Sequence, residues 1–90
     1  MVTNLQIKFL KSLQVKKFRY EHKKYVCEGE KIISELIQYK PEFIDCIYAT
    51  EEWSKSHPLK DVRVQIVTLK EINKISGLST SPEVLAVVNI

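Results

Sequence analysis

The strongest constraint on the fold is a stretch of nine residues, Tyr25–Ile33, with the sequence Y-V-C-E-G-E-K-I-I. Its first four residues have the composition of a short buried strand. Gly29 then stands where a tight strand-to-helix turn needs a residue without a Cβ. From about Glu30 to Tyr39, apolar residues recur at the spacing of an amphipathic helix that covers a sheet. These apolar residues are Ile32, Ile33, Leu36 and Ile37. A strand that leads directly into such a helix predicts an α/β fold.

Strand and helix patterns alternate along the rest of the chain. The apolar runs typical of strands are Phe43–Ala49, Val62–Val67 and Val84–Ile90. Thr50 begins a short helical turn that is broken at His57-Pro58, and this turn leaves Trp53 either packed at the edge of the core or partly exposed. With Tyr25–Glu28, the chain has four predicted strands separated by helices. This order predicts a small three-layer α/β/α sandwich with a four-stranded, largely parallel or mixed sheet.

Capping boxes mark the start of two further helices. Thr3 and Gln6 have the S/T-x-x-E/Q spacing that satisfies backbone N–H groups, which predicts a helix over about Asn4–Leu13. The apolar stripe of this helix is expected to contain Leu5, Ile7, Phe9, Leu10 and Leu13. Thr68 and Glu71 repeat the box and open a later helix. That helix is expected to point Leu69, Ile72 and Ile75 inward and to end at a glycine cap on Gly77, before a loop over Gly77–Glu83.

Positive charge is concentrated near the start of the chain. Seven lysines and arginines and one glutamate lie between Lys8 and Lys24, a local charge of +6, whereas the whole chain carries +3 and its remainder therefore −3. A localised basic stripe favours a polyanion partner such as nucleic acid. The alternative is a solvated, lysine-rich helix face, and the pattern leaves open whether 14–24 is a helix or a loop. Phe18, Tyr20 and Tyr25 interleave with the cations, which suits base stacking; packing onto the core is the alternative role, and for Phe18 it is favoured.

Several classes of protein are excluded by composition. Ninety residues make one small domain, and no apolar run approaches the ~20 residues of a membrane span. The first residues lack the basic-then-apolar order of a secretion signal, so a cytoplasmic location is expected. Cys27 and Cys46 lie in apolar runs, which fits reduced, buried thiols better than a disulfide or a zinc site.

Catalytic chemistry finds little support in these residues. His22 and His57 each lie beside lysine or proline in stretches expected to be exposed, and neither has a nucleophile or metal ligand at motif spacing. The chain has two glycines, too few for a phosphate-binding or dinucleotide-binding loop. Glu28 follows a strand where ligands of α/β sheets bind, but a structural role as a cap on the adjacent turn is favoured. No catalytic and no metal-ligating residue is therefore predicted.

The assembled pattern resembles a known family. The segment R-Y-E-H-K-K-Y-V-C-E-G-E-K-I-I, Arg19–Ile33, is similar to the arginine followed by F-x-V-E-G that opens the N-terminal substrate-binding domain of SpoU/TrmH-type RNA methyltransferases. The similarity continues in order through Ile47–Thr50, Glu71–Ser76 and Val84–Val88. One departure stands before the last strand, where the family commonly has T-P-x-G and this chain has T-S-P-E. Glu83 replaces the usual glycine and would repel phosphate.

The resemblance carries expectations about fold and activity. Domains of this kind look like the small ribosomal proteins that bind kink-turn RNA. They hold RNA for a second domain, a deep trefoil knot that binds S-adenosylmethionine and methylates a ribose 2′-hydroxyl. The catalytic motifs of the family belong to the knot, and nothing in this sequence matches them, so methyl transfer by this chain alone is not expected. The family dimerises through the knot, so this chain is expected to be a monomer cut from a larger, homodimeric enzyme.

The leading hypothesis is therefore an RNA-binding, substrate-recognition domain of a tRNA or rRNA 2′-O-ribose methyltransferase, with ribosomal RNA as the expected substrate. Residues 1–24 would form a helix and basic arm, and 25–90 the α/β/α domain. Phosphates would be contacted by Lys16, Lys17, Arg19, Lys23 and Lys24. Arg19 is the best suited of these to a bidentate grip, while Glu28 and Gly29 would be structural family-motif residues. The alternatives are a stand-alone ribosome- or ribonucleoprotein-associated RNA-binding protein and a protein-interaction domain with a merely solvated arm.

Overall fold

A computed structural model describes residues 3–59, 62–76 and 82–90 of the chain. The helices are α1 Asn4–Ser12, α2 Lys16–His22, α3 Glu30–Tyr39, α4 Glu51–Ser56 and α5 Leu69–Ile75, with a single 3₁₀ turn at Pro41–Phe43. The strands are β1 Lys24–Glu28, β2 Ile44–Ala49, β3 Val64–Ile66 and β4 Val84–Asn89. The alternation of strands and helices expected from the sequence is confirmed. Within the described ranges, no helix combines the length and apolarity needed to cross a membrane.

The four strands form one mixed sheet in the order β1-β4-β2-β3. β4 runs antiparallel to both of its neighbours, β1 and β2, while β2 and β3 are parallel. β1, β2 and β3 therefore point the same way, and their carboxyl ends share one edge of the sheet with the start of β4. The central position of β4, hydrogen-bonded on both sides and covered on both faces, explains why its sequence is apolar throughout.

Helices cover both faces of the sheet, as expected for a three-layer sandwich. Side chains of β4 alternate between two cores, with Leu85 and Val87 on one face and Val84, Ala86 and Val88 on the other. The first core is completed mainly by α1 and α5 through Leu10, Leu13, Ile72 and Ile75. The second is completed by α3 and α4 through Ile33 and Trp53. Trp53, whose placement the sequence left open, is buried with 4% of its surface exposed.

Three apolar residues of α1, α3 and α5 that were expected to face the sheet are exposed. Leu5, Ile32 and Leu69 have exposed fractions of 80%, 46% and 50%. At 100° per residue Leu5 lies about 140° around α1 from the buried Leu10, so the covered stripe follows Ile7, Leu10 and Leu13 instead. Leu69 is the first residue of α5 and lines an open groove at the end of the sheet. Most of the loop predicted over Gly77–Glu83, with the cap at Gly77, lies outside the described residues.

Both predicted capping boxes are confirmed. In α1 the Thr3 hydroxyl accepts a hydrogen bond from the Gln6 N–H, and the Gln6 side chain accepts one from the Thr3 N–H. Thr68 and Glu71 make the same reciprocal pair at the start of α5. The undecided segment 14–24 contains the helix α2, which ends at Lys23 in the left-handed conformation, with φ of 55°. Helix α2 is thus a defined element rather than a loop.

Replacing Gly29 with alanine is expected to lower the free energy of unfolding by about 1–3 kcal/mol. Gly29 has φ of 108° and ψ of 148°, a backbone conformation that side chains with a Cβ rarely adopt. An added Cβ would meet no atom within 4 Å, so the cost arises from backbone strain alone. Urea unfolding measures the change, with Ser34→Ala on the exposed side of α3 as the control. Equal midpoints for Gly29→Ala and wild type would contradict the strain argument.

Candidate nucleic-acid interface

The basic residues predicted to contact RNA lie on and directly after α2, which packs along the edge strand β1. No residue of α2 is fully buried. Lys16, Lys17 and Lys23 are exposed, whereas Arg19 and Lys24 are half-buried. All five predicted residues thus lie between the start of α2 and the start of β1, but only Lys16 and Arg19 line a common cavity.

Three side chains of α2 line a groove that we call the α2 groove. Lys16, Arg19 and Tyr20 follow one another at i, i+3 and i+4, so they share one face of the helix. Tyr25 of β1 and Ile90 complete the lining of a cavity of about 330 Å³. Ile90 is held there because its N–H donates to the Lys23 carbonyl at 3.0 Å. Cationic, aromatic and apolar surfaces thus meet within one open cavity.

The two tyrosines of the α2 groove differ in environment. Tyr20 has 68% of its surface exposed, and the Lys16 Nζ lies 5.8 Å from the centre of its ring. Tyr25 is half-buried against the second core. Burial raises the pKa of Tyr25 above its ordinary value of 10.0, with a smaller contribution from Cys27. Tyr20 is therefore the ring that a ligand in the groove can reach most freely.

Phe18 lies outside the α2 groove. Its ring stacks on His22 with centroids 6.5 Å apart, and His22 meets Phe9 of α1 edge-on at 5.1 Å. The His22–Phe9 contact joins α2 to α1, whereas Phe18 contacts His22 within its own helix. Phe18 is 37% exposed and belongs to neither core, so the packing onto the core favoured for it is not observed. Lys17 places its Nζ 5.9 Å from the centre of the Phe18 ring.

Lys24 is engaged within the sheet. Its Nζ lies 3.3 Å from Asp45 Oδ2 and 2.6 Å from Asn89 Oδ1. The contacts connect the first residue of β1 to β2 and β4, and the Asp45 carboxylate offsets the charge of Lys24. Of the five predicted phosphate contacts, Lys24 is therefore the least available to a ligand. Asp45 lies 21 residues from Lys24 in sequence. The charge pattern of the arm alone therefore did not reveal this ion pair.

Carboxylates collect at the edge of the sheet where β1, β2 and β3 end. Of the ten acidic residues that the structure describes, six lie at strand ends or helix starts along this edge: Glu28, Glu30, Glu51, Glu52, Glu71 and Glu83. Negative charge is favourable at helix N-termini, which accounts for several of these positions. We call this group of six carboxylates the acidic edge. Glu83, which was expected from the sequence to repel phosphate, is one of them. Lys23 lies at the opposite end of β1, where the strand begins.

The acidic edge contains a groove of about 390 Å³ between the starts of α4 and α5. Ile66 and Leu69 give it an apolar floor, and Glu51, Glu52 and Glu71 line it with carboxylates. Like charges would oppose the approach of a phosphate backbone to this groove. Its size alone therefore does not make it a candidate for nucleic acid.

Glu28 and Gly29 have structural roles at the acidic edge. The Ser76 hydroxyl donates a hydrogen bond to Glu28 Oε1, and Gln14 Nε2 donates one to Glu28 Oε2 at 3.4 Å. Glu28 thereby joins β1 to the end of α5 and to the turn that precedes α2. Gly29 supplies the positive φ between β1 and α3. The structural interpretation of this pair is the one that the contacts support.

The remaining candidate side chains are also engaged in packing. His57 was expected to be exposed but is half-buried: its ring stacks on Trp53 with centroids 4.2 Å apart, and its Nε2 lies 2.8 Å from Glu30 Oε1. Cys27 and Cys46 are free and buried, and burial raises the pKa of both thiols. Among the described residues, no three histidines, cysteines or carboxylates are grouped so as to hold a metal ion.

A family model decides the relationship of the chain to known proteins. The model of the MRM3-like substrate binding domain matches residues 4–86. The chain belongs to this family. The resemblance to substrate-binding domains of SpoU/TrmH-type RNA methyltransferases is thereby confirmed, and the match includes α2 and the α2 groove apart from Ile90. A comparison with curated proteins gives no match.

Solved structures share the fold of this MRM3-like domain at low sequence identity. A TrmH-family protein from Porphyromonas gingivalis is 24% identical, with a TM-score of 0.83 over 99% of this chain and 36% of its own. An AdoMet-bound rRNA methyltransferase from Sinorhizobium meliloti is 21% identical, with a TM-score of 0.75 over 99% of this chain and 34% of its own. The SpoU methyltransferase AviRb from Streptomyces viridochromogenes, in complex with AdoMet, is 13% identical, with a TM-score of 0.77 over 98% and 36%. The chain thus spans about a third of each of these proteins.

Proposed function

We propose that this domain binds RNA on its α2 side and presents it to a SpoU/TrmH-type 2′-O-ribose methyltransferase domain. The observation that carries the proposal is the α2 groove, where Lys16 and Arg19 flank the exposed ring of Tyr20. Cations beside an accessible aromatic ring are the usual components of single-strand RNA binding. The acidic edge favours the same location for RNA. Its carboxylates lie at the end of β1 opposite to the α2 groove, where they would repel phosphates.

Ribosomal RNA is the substrate that we propose. The relative from Sinorhizobium meliloti is described as an rRNA methyltransferase and holds AdoMet. By analogy, S-adenosylmethionine would bind to a separate catalytic domain and supply the methyl group there. The residues of this domain would orient the RNA. We propose further that the enzyme dimerises through its catalytic domain, that this domain alone is a monomer, and that the protein works in the cytoplasm.

Replacing Lys16, Arg19 and Lys23 together with alanine is expected to weaken RNA binding in a salt-dependent way. Each lost phosphate contact removes about 0.7 from the slope of log Kobs against log salt for a single strand, so three contacts reduce it by about 2. Fluorescence anisotropy with a labelled rRNA fragment, repeated at several salt concentrations, measures the slope. Lys24 is left unchanged because its loss would also break the contacts with Asp45 and Asn89.

The matched control removes the same charge elsewhere. Lys31, Lys70 and Lys74 are exposed on α3 and α5, and their triple replacement by alanine is expected to change the slope by much less. If wild type and the α2 triple variant retain the RNA equally at low salt, the proposed interface is wrong. If both triple variants weaken binding equally, binding depends on net charge rather than on α2.

A further inference from the structure

Tyr20 combines an exposed ring with a defined cavity. Tyr20 is 68% exposed, and its ring lines the α2 groove, which distinguishes it from the equally exposed Tyr39. The groove volume of about 330 Å³ lies at the lower end of the ~300–1,000 Å³ found for small-ligand sites. A cavity of this size suits one nucleotide rather than the face of a double helix.

Two cations, Lys16 and Arg19, line the α2 groove beside the Tyr20 ring. Arg19 is half-buried beside Tyr20, and its planar guanidinium can hold a phosphate through two hydrogen bonds. Lys16 lies over the Tyr20 ring at 5.8 Å and is otherwise exposed. Its flexible side chain can turn from the ring to a phosphate as a base arrives. Tyr25 and Ile90 supply the apolar surface against which the sugar or base edge would lie.

We infer that the α2 groove holds a single unstacked nucleotide, with its base against Tyr20 and its phosphate at Arg19 and Lys16. The inference rests on the proposed function and extends it, because it assigns the class of RNA element that is recognised. Bases within a duplex are stacked and out of reach, whereas loops and bulges expose bases that aromatic side chains can stack on. The recognised element is therefore a single-stranded loop or bulge, and a perfect duplex would make phosphate contacts only.

The test separates base stacking from phosphate contact. The probes are a labelled oligouridine of about eight nucleotides, within the site sizes of single-strand binders, and an abasic ribose-phosphate chain of equal length. Wild type is expected to bind the base-bearing probe more tightly than the abasic probe. Replacing Tyr20 with alanine is expected to weaken binding of the base-bearing probe by about 5- to 150-fold, the range for one lost stacking contact. Binding of the abasic probe is expected to stay unchanged.

Two variants control for indirect effects. Tyr39 on α3 is 70% exposed, almost the same as Tyr20, and does not line the groove. Tyr39→Ala is therefore expected to bind both probes like wild type. Tyr20→Phe keeps the ring and is expected to retain the preference for the base-bearing probe that Tyr20→Ala loses. Circular dichroism confirms that each variant is folded.

The outcomes distinguish this inference from the proposed function. If wild type binds both probes equally and Tyr20→Ala changes neither affinity, nucleotide stacking is ruled out while RNA binding by the basic residues stands. If Tyr39→Ala weakens binding as much as Tyr20→Ala, the groove is not the site. If wild type retains neither probe nor the rRNA fragment at low salt, the proposed function fails, and this inference fails with it.

Discussion

Leu10→Ala is expected to lower the free energy of unfolding by about 2–5 kcal/mol, the range for large-to-small changes in a core. Leu10 is fully buried in the core between α1, α5 and the sheet. The substitution removes its apolar contacts and leaves a cavity that the neighbouring side chains only partly fill. A domain of this length has a total stability of roughly 5–13 kcal/mol, so this one change would remove a large part of it.

The matched control is Leu5→Ala on the same helix. Leu5 is 80% exposed, and its truncation is expected to change the stability by less than about 0.5 kcal/mol. Urea unfolding followed through the fluorescence of the single, buried Trp53 reports on both variants. Equal losses from Leu5 and Leu10 would show that α1 does not pack on the sheet in the orientation described.

A loss of stability between about pH 10 and 12 is the second large expected effect. Burial, with smaller contributions from Cys46 and Asp45, raises the pKa of Tyr48 to about 12 from an ordinary value of 10.0. The unfolded chain therefore releases the phenolic proton at a lower pH than the folded chain does. Tyr48 contributes its full stabilisation below pH 10 and loses it as the pH rises through 12. By linkage the loss amounts to about 3 kcal/mol.

The measurement is urea unfolding at a series of alkaline pH values. Tyr48→Phe is expected to flatten the fall between pH 10 and 12, because the phenylalanine ring has no proton to release. The buried thiols of Cys27 and Cys46, whose pKa values are also raised, would still contribute a decline that begins nearer pH 9. Tyr39→Phe at an exposed site serves as the control and should keep the wild-type profile. An unchanged profile for Tyr48→Phe would assign the alkaline loss to other groups.

The local elements were predictable because their causes lie within a few residues. The boxes at Thr3 and Thr68 close over three residues, and both are formed as expected. The helix Glu30–Tyr39 matches its predicted bounds. It was harder to predict which apolar residues are covered. Leu5 fits a helical spacing but lies about 140° around α1 from the buried Leu10, and Leu69 lines an open groove at the start of α5.

The candidate site was predictable only in part. The basic residues of α2 were identified from charge, because seven cations in a short segment need no tertiary information. The engagement of Lys24 by Asp45 depends on a contact across the sheet. The role of Glu28 likewise depends on Ser76, 48 residues away. Contacts of this kind follow from strand order and register, which an amino-acid pattern does not specify.

The unit Tyr25–Ile33 illustrates the difference between what the sequence determined and what the tertiary structure decided. Its residue types by themselves determined a strand, a glycine turn and a helix, and with them the α/β class, because backbone sterics and apolar periodicity act locally. Only the tertiary structure decided that β4 lies antiparallel between β1 and β2. That arrangement gathers the carboxylates at one edge of the sheet and turns Lys16, Arg19 and Tyr20 into a groove with Tyr25 and Ile90. The reason is physical: charge and periodicity are properties of segments, whereas a binding cavity exists only between segments that packing has brought together.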